Sequence, residues 1–264
     1  MKTRRLFYED VYIREFEAVV LSCEEKDGKY HVILNATAFY PEGGGQPADK
    51  GRIDNIPVVD VQYIDGELCH IMESPLEEGA QVVGKIDWNW RFDLMQQHSG
   101  EHIVSGMIHE KYGYENVGFH MGEEIITIDL NGMLTWQQVQ EIEKKVNHYI
   151  WMNQQVNIFY PNERQRKFIP YRSKKELTGE IRLVEFPGAD LCACCGLHVT
   201  HASQIGLVKI LSCKKFRDGV RMEMLSGKRA LDYLSGSTEQ NSQIAVSLSV
   251  KENETKEAVQ RLLD

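Results

Sequence analysis

The chain has 264 residues, of which 42% are hydrophobic and 26% are charged, and its formal net charge is −9. This composition is that of an ordinary globular protein with enough residues for two modest domains. The acidic balance excludes a surface that is basic throughout, and the lack of an apolar run of about 18 residues excludes a membrane span. The first residues lack the apolar segment and cleavage site of a signal peptide, so we expect a cytoplasmic protein.

Residues 1–88 are predicted to form a small antiparallel β-barrel domain. Short runs of β-type composition alternate with turns, and Asp-Gly pairs at 27–28 and 65–66 supply the turn chemistry of hairpins. Evenly spaced short strands of this kind are typical of a barrel. The predicted strands lie at 17–23, 29–35, 57–64 and 68–73.

A glycine-rich segment with the sequence TAFYPEGGGQPAD occupies residues 37–49. Gly43, Gly44 and Gly45 permit an approach of backbone to ligand that a side chain would block, and the flanking prolines restrict the chain. The segment lacks the Gly-Lys-Ser/Thr ending of a P-loop. It suits a loop that closes over a ligand, whereas composition alone favours a flexible hairpin tip.

Residues 89–235 are predicted to form an α+β domain. The spacing of apolar residues in RFDLMQQHSGEHIVSGMIHE predicts a helix over 91–110, and Thr135 is a suitable N-cap for a second helix. Strands are expected within 115–132 and around 155–160, 180–186 and 206–212.

From about Glu223 onward the pattern becomes helical, and residues 236–264 are predicted to be the start of a helical extension. The chain ends directly after Leu262 and Leu263 with no capping residue. We therefore expect the last helix to continue in a longer parent protein.

Two basic stretches interrupt the acidic composition. Lys and Arg outnumber Asp and Glu by seven to three over residues 161–183 and by seven to two over residues 208–229. Such stretches could form a docking surface for phosphates. Charge alone equally supports ordinary solvated loops and helix faces.

The histidines and cysteines suggest a metal site. His98 and His102 stand four residues apart on the predicted helix, so both rings can face one ion. Cys194 and His198 are also four residues apart, across Gly196. Three imidazoles and one thiolate suit tetrahedral Zn²⁺.

Other interpretations of the cysteine cluster stay open at this point. Four of the six cysteines fall within 22 residues, which favours metal or thiol chemistry over a disulfide framework. A buried, inert cysteine patch is the alternative. Cys192, Cys195 and His201 also compete as ligands, and spacing alone does not choose among them.

These segments together resemble the editing domain of alanyl-tRNA synthetase and its free-standing relatives, the AlaX trans-editing proteins. The resemblance covers most of residues 6–235, and the family usually reads CGGTHV where this chain has CCGLHV from Cys194 onward. Cys195 and Leu197 depart from that pattern, and further along Ser203 stands where the family usually has Thr. The matching segments are TAFYPEGGGQPADKG at 37–51, RFDLMQQHSGEH at 91–102, GFHMGEEIITIDL at 118–130, CCGLHVTHASQIG at 194–206 and GVRMEML at 219–225.

The resemblance implies a fold in which a β-barrel precedes a threonyl/alanyl-tRNA synthetase second-domain-like α+β unit. It assigns one zinc ion per chain, and four protein ligands would fill its tetrahedral shell, so we expect zinc to organise the pocket. The implied ligands are His98, His102, Cys194 and His198.

Further roles follow from the same resemblance. Thr37 matches the position that reads a serine side chain, and His120 replaces a glutamine beside the substrate. Apart from the resemblance, Glu101 lies between His98 and His102 and is by its position a candidate base, although a carboxylate on the helix surface is the favoured interpretation. The expected substrate-binding residues are Thr37, Gly43, Gly44, Gly45, Gln46 and His120.

The implied function is hydrolysis, in trans, of Ser-tRNA(Ala) or Gly-tRNA(Ala), through contact with the acceptor end of the tRNA. No synthetase core precedes Met1, so the chain is expected to charge no tRNA. A homodimer through the C-terminal helical extension is expected. Two alternatives stay open: a non-catalytic, zinc-stabilised tRNA-binding module, and a zinc hydrolase of another small aminoacyl ester.

Overall fold

Strands dominate the N-terminal third of the computed structural model, which describes residues 2–173 and 179–264. One short helix, α1 (Leu6–Glu9), follows the first strand. The strands are β1 (Arg4–Arg5), β2 (Glu15–Lys26), β3 (Lys29–Leu34), β4 (Ala36–Thr37), β5 (Gly51–Ile53), β6 (Ile56–Ile64), β7 (Glu67–Met72) and β8 (Gln81–Ile86).

Six of these strands close into a barrel in the order β2-β3-β7-β6-β5-β8. All neighbouring pairs are antiparallel. The hairpin turns at Asp27 and Asp65 have positive φ values of 53° and 51°, and the glycine after each is also at positive φ. This is the backbone conformation for which Asp-Gly is favoured. Apolar side chains fill the barrel, among them Val20, Val32, Leu34, Val61 and Met72.

Helices and strands alternate in the rest of the chain, so the α+β class that the sequence predicts is confirmed. The strands are β9 (Asn116–Met121), β10 (Ile126–Leu130), β11 (Asn157–Phe159), β12 (Leu183–Phe186), β13 (Asp190–Ala193), β14 (Val208–Phe216) and β15 (Gly219–Ser226). The helices are α2 (Trp88–Tyr112), α3 (Trp136–Trp151), α4 (Glu163–Arg166), α5 (Gly227–Leu248) and α6 (Thr255–Leu263).

Two antiparallel sheets surround α2, one with the strand order β14-β15-β10-β9 and one with the order β11-β12-β13. Every residue from Leu94 to Ile108 is buried, because α2 packs against β13, β15 and α3. Gly106 allows this approach, since a Cβ there would lie 2.3 Å from the carbonyl oxygen of Ala189. No helix within residues 2–173 and 179–264 has the length and apolarity needed to span a membrane.

The second predicted helix begins as expected, whereas the predicted helix from Glu223 is wrong. Thr135 caps α3 in a capping box with Gln138. Glu223 instead lies in β15, which is hydrogen-bonded to β14 on one side and to β10 on the other. Pairing on both edges overrides the local helical preference of this segment, and the helix begins at Gly227.

The domain limits predicted at 88 and 235 stay predictions. The first falls at the start of α2, while the second falls inside α5, which continues to Leu248. The basic stretch at 161–183 includes Lys174 and Lys175, which lie outside the described residues.

A fully buried ion pair joins α2 to the barrel. The Nε of Arg91 donates to Oδ1 of Asp49 over 2.7 Å, and its Nη2 donates to Oδ2. Nη1 of Arg91 also donates to the carbonyl of Val11 over 3.0 Å, and Nη2 to that of Ala38 over 2.5 Å. Asp49 in turn accepts from the backbone N–H of Tyr40. The pair thus links α2 to both ends of the glycine-rich segment.

We expect Asp49→Asn to lower the free energy of unfolding by about 3–5 kcal/mol, because Arg91 is then buried without its counter-charge. Urea unfolding followed by circular dichroism measures this change. Asp65→Asn is the matched control, since Asp65 is exposed and Asn tolerates its positive φ. The control should change stability by less than about 0.5 kcal/mol. Similar losses in both variants would contradict the role of the ion pair.

Candidate metal centre

The four predicted ligands converge on one point. His98 and His102 lie one turn apart on α2, while Cys194 and His198 lie in the loop after β13. Their ligand atoms are all within 4.8 Å of one another. Nε2 of His98 and Nε2 of His198 are each 3.5 Å from Sγ of Cys194. The group could hold a metal ion.

The three competing residues do not join this group. Cys195 and His201 are exposed, and the described residues place neither of them in a metal-binding cluster. Cys192 is buried on the far side of His102, where it forms a second group with Asp190. The geometry therefore favours Cys194 over its neighbours.

Each imidazole has a polar partner on the ring nitrogen that faces away from the centre. Nδ1 of His98 is 2.9 Å from Oε1 of Gln46, and Nδ1 of His102 is 2.8 Å from Oδ2 of Asp190. Nδ1 of His198 is 3.3 Å from Oγ of Ser99. Such outer partners fix the tautomer that leaves Nε2 available as a ligand.

The charges of the group favour a thiolate. Burial raises the pKa of the Cys194 thiol, but the charges of His98 and His102 and hydrogen bonds from His102 and His198 outweigh it and lower the pKa well below its ordinary value. Burial likewise opposes protonation of His102. The Cys194 charge and the hydrogen bond to Asp190 nevertheless raise the pKa of His102 to about 10. A cation that binds here would displace that proton.

Backbone amides of the cysteine loop point toward the centre. The N–H of Gly196 donates to Sγ of Cys194 over 3.3 Å, and the N–H of Leu197 donates to Oε1 of Gln46 over 2.9 Å. The N–H of Val199 donates to Oγ of Ser99 over 3.1 Å. These bonds stabilise the thiolate and hold two of the outer partners in place.

Carbonyl groups of the same loop point outward. Nη1 of Arg182 donates to the carbonyls of Cys194 and Gly196, over 2.8 and 2.9 Å. The hydroxyl of Tyr8 donates to the carbonyl of Cys195 over 2.7 Å. Three consecutive carbonyls are thus satisfied away from the centre, which lets the intervening amides face it.

A cavity of about 670 Å³ adjoins the metal-binding group, and His98, His102 and Cys194 line part of it. Gly44 and Gly45 form another part of its wall. Both have positive φ, and a Cβ at Gly44 would lie 2.8 Å from Sγ of Cys195. The wall further includes Arg5, Tyr8, Val117, Phe119, Tyr160, Glu180 and Arg182.

Two of the expected substrate-binding residues support the cavity from behind. Gly43 and Gln46 exchange backbone hydrogen bonds of 3.0 Å in each direction, which closes the glycine turn. The side chain of Gln46 is buried between His98 and Leu197. Neither residue is among those that line the cavity.

Thr37, His120 and Glu101 are not brought to the cavity. The hydroxyl of Thr37 is 2.8 Å from Nε2 of His70 and is fully buried. His120 is exposed on β9, where Val117 and Phe119 supply the cavity wall.

The expectation that Glu101 lies on a helix surface is wrong. Only 1% of this residue is exposed, because strands and other helices pack around α2. Its Oε1 accepts from Oγ of Ser105 over 2.6 Å and from Nδ2 of Asn116 over 2.5 Å. Its role as a base stays a prediction.

Sequence reasoning missed the residues that orient the ligands. Ser99, Asp190 and Arg182 lie beside the motifs and were not singled out. A signal existed for Arg182, since a charge between Ile181 and Leu183 interrupts an apolar run.

The basic stretch at 208–229 is partly neutralised by acidic partners. Four of its cations form ion pairs, namely Lys209, Arg221, Lys228 and Arg229.

Three imidazoles and one cysteine thus form a candidate metal site beside the cavity. Together with the barrel, this site defines the class of protein as one with a candidate metal-dependent centre. Comparison with known families gives two matches. The family described as tRNA synthetases class II (A) matches residues 5–90. The family described as threonyl and alanyl tRNA synthetase second additional domain matches residues 181–222.

Similar proteins match nearly the whole chain. Alanyl-tRNA editing protein Aarsd1-B of Xenopus laevis is 34% identical over 270 residues, which are 96% of this chain and 66% of that protein. Alanyl-tRNA editing protein AlaX-L of Pyrococcus horikoshii is 32% identical over 242 residues, 88% of this chain and 60% of that protein. The alanine–tRNA ligase of Ignicoccus hospitalis is 36% identical over 243 residues, 87% of this chain and 26% of the ligase.

The chain belongs to the family of alanyl-tRNA synthetase editing domains and alanyl-tRNA editing proteins, as its motifs predict. It spans slightly less than two thirds of the length of the editing proteins cited above.

Cys194→Ala should abolish stoichiometric metal binding, because it removes the only thiolate of the group. Cys195→Ala is the matched control, since its side chain is exposed and outside the group. Elemental analysis after dialysis should find about one metal ion per chain in the parent and the control, and almost none in Cys194→Ala. Full metal content in Cys194→Ala would reject the ligand assignment.

Asp190→Asn should weaken metal binding by about 10- to 100-fold, because the carboxylate that orients His102 is lost. Competition with a chromophoric chelator measures the affinity. Asp129→Asn serves as the control, since Asp129 pairs with Arg221 as Asp190 pairs with Arg172, but Asp129 lies in β10 outside the metal-binding group. An unchanged affinity in Asp190→Asn would show that this contact does not tune the centre.

Proposed function

We propose that this chain hydrolyses the ester of mischarged alanine tRNA in trans, releasing serine or glycine, with one zinc ion bound by His98, His102, Cys194 and His198. The observation that carries the proposal is the convergence of these four donors, three of which line a cavity of about 670 Å³. The names of the similar editing proteins support the substrate class. Such a protein would work in the cytoplasm on the acceptor end of tRNA(Ala).

The donor set fits zinc. Imidazole and thiolate are borderline-soft to soft ligands, and four of them match the preferred tetrahedral number. The outer hydrogen bonds to Gln46, Asp190 and Ser99 meet the further requirement that the rings be fixed. When held by all four donors, zinc would order the pocket, and it would act as a Lewis acid on an oxygen only if its shell expanded or one ligand left.

The protein side chains then decide which ester is cleaved. Packing against the wall of a small cavity changes the relative binding free energy of serine and alanine by only about 1–3 kcal/mol. A larger difference requires a polar group that needs the serine hydroxyl as its partner. We assign this discrimination to Thr37. Its hydroxyl contacts His70 and the amide of Phe39, so reading a substrate would require it to exchange one of these partners.

The roles of the other predicted site residues are assigned from where each residue lies relative to the cavity and the metal-binding group. Gly44 and Gly45 provide a wall that a substrate can approach closely, and Gln46 holds His98. His120 and Glu101 are retained as candidate groups for the reaction. His120 lies near the exposed end of β9, and Glu101 is buried in contact with Ser105 and Asn116.

Homodimerisation through the C-terminal helices is a further proposal. Exposed apolar residues such as Leu262 and Leu263 support it.

The test is hydrolysis of three esters on alanine tRNA, carrying serine, glycine or alanine, with zinc quantified in the same preparation. Serine should be released rapidly and alanine spared, because alanine offers no hydroxyl to Thr37. Glycine has no hydroxyl either, so its release would require that the methyl group of alanine be excluded from the site. Chelation should abolish the activity and zinc should restore it. Cys195→Ala should keep most of the activity and Cys194→Ala should lose it.

Other outcomes identify the alternatives. Zinc at full occupancy with no ester cleaved would indicate a non-catalytic tRNA-binding module. Equal turnover of free amino-acid esters, without a requirement for tRNA, would indicate a hydrolase of small esters. Either result would overturn the proposed function.

A further inference from the structure

Two guanidinium groups lie close to the Tyr8 ring at the cavity wall. Cζ of Arg5 is 5.4 Å from the centroid of the Tyr8 ring, and Cζ of Arg182 is 5.0 Å from it. All three residues line the cavity that contains the metal-binding group. An aromatic ring flanked by cations is the type of surface on which proteins hold single-stranded nucleic acid.

Arg182 is a buried cation with unused donors. The residue is 8% exposed, and within the described part of the chain only its Nη1 forms hydrogen bonds, toward the carbonyls of Cys194 and Gly196. Its Nε is buried with no hydrogen-bond partner in the described part of the chain. Within residues 2–173 and 179–264 no carboxylate forms an ion pair with it. A buried cation without a counter-charge is costly, so an anion from outside would be stabilised here.

Arg5 adds a second charge that is also uncommitted. No ion pair of Arg5 occurs among the described residues, whereas its neighbour Arg4 pairs with Glu9 over 2.6 Å. The described lining contains Glu180 as its one Asp or Glu residue. In a chain of net charge −9, two unpaired arginines in one cavity wall form a local positive site.

We propose that Arg5, Tyr8 and Arg182 bind the phosphodiester that joins the last two nucleotides of the tRNA. This inference rests on the proposed function, because an ester on the terminal ribose places the 5′-phosphate of that nucleotide nearest to the reacting bond. Arg182 connects the two sites directly, since its Nη1 holds the carbonyl of the ligand Cys194. The guanidinium fork suits a phosphate geometrically as well as electrostatically.

The test compares two unesterified probes, cytidylyl-(3′→5′)-adenosine and its analogue with an uncharged methylphosphonate linkage. Both contain the same bases, so their affinity ratio isolates the phosphate charge. The zinc-loaded parent protein should bind the charged probe at least about tenfold more tightly, the value of one charge-assisted hydrogen bond. Calorimetry or fluorescence titration at low salt measures both affinities.

Three variants locate the effect. Arg5→Gln should reduce the affinity ratio at least about threefold, and Arg5→Gln with Arg182→Gln should bring it to about one. Arg4→Gln is the matched control and should leave the ratio unchanged, since Arg4 is exposed, paired with Glu9 and absent from the lining. Arg5 is the cleaner single change, because Arg182 also holds the ligand loop. Zinc content is measured in each variant to show that the loop is intact.

The outcomes separate this inference from the proposed function. A parent protein that prefers the charged probe but cleaves no ester would overturn the proposed function and leave the anion site standing. A parent protein that cleaves the ester but binds both probes equally, or binds neither at millimolar concentration, would overturn the anion site. An unchanged ratio in Arg5→Gln and in the double variant would also overturn it.

Discussion

The buried contact between Arg91 and Asp49 fixes the geometry on which the metal-binding group depends. Arg91 lies on α2 seven residues before His98, about two helical turns away, and Asp49 lies three residues after Gln46. The same guanidinium holds the carbonyl of Val11 and that of Ala38, at the other end of the glycine-rich segment. Because Gln46 is the outer partner of His98, a displacement at this ion pair would move an imidazole relative to the residue that orients it.

The centre is shared among distant segments of the chain. One matching family model covers residues 5–90 and contributes Gln46, while the other covers residues 181–222 and contributes Cys194 and His198. The two histidines of α2 lie between these matched regions. The helix and the cysteine loop have to be assembled before the four donors can meet, and the segment with Gln46 has to join them before His98 is oriented, which couples metal binding to the tertiary fold.

Local spacing could be predicted from the sequence, whereas contacts between segments could not. Two histidines one turn apart face the same way on any helix, so their pairing follows from the helical period alone. The burial of Glu101 depends instead on sheets that form far away in the chain, and β15 depends on pairing at both edges. The choice of Cys194 over Cys195 needed family resemblance, because a loop places neighbouring side chains without a regular period.

Four protein donors complete a tetrahedral set, so selectivity has to come from the walls around it. Those walls are attached to the centre by the same loop, whose amides face Cys194 and Gln46 and whose carbonyls face Tyr8 and Arg182. A change at Arg182 therefore acts on the ligand loop and on the cavity charge together, while Arg5 acts on charge alone. Arg182 is buried without a carboxylate partner among the described residues, which has an electrostatic cost that an anionic ligand would offset, whereas Arg5 is exposed and adds its charge at the cavity wall.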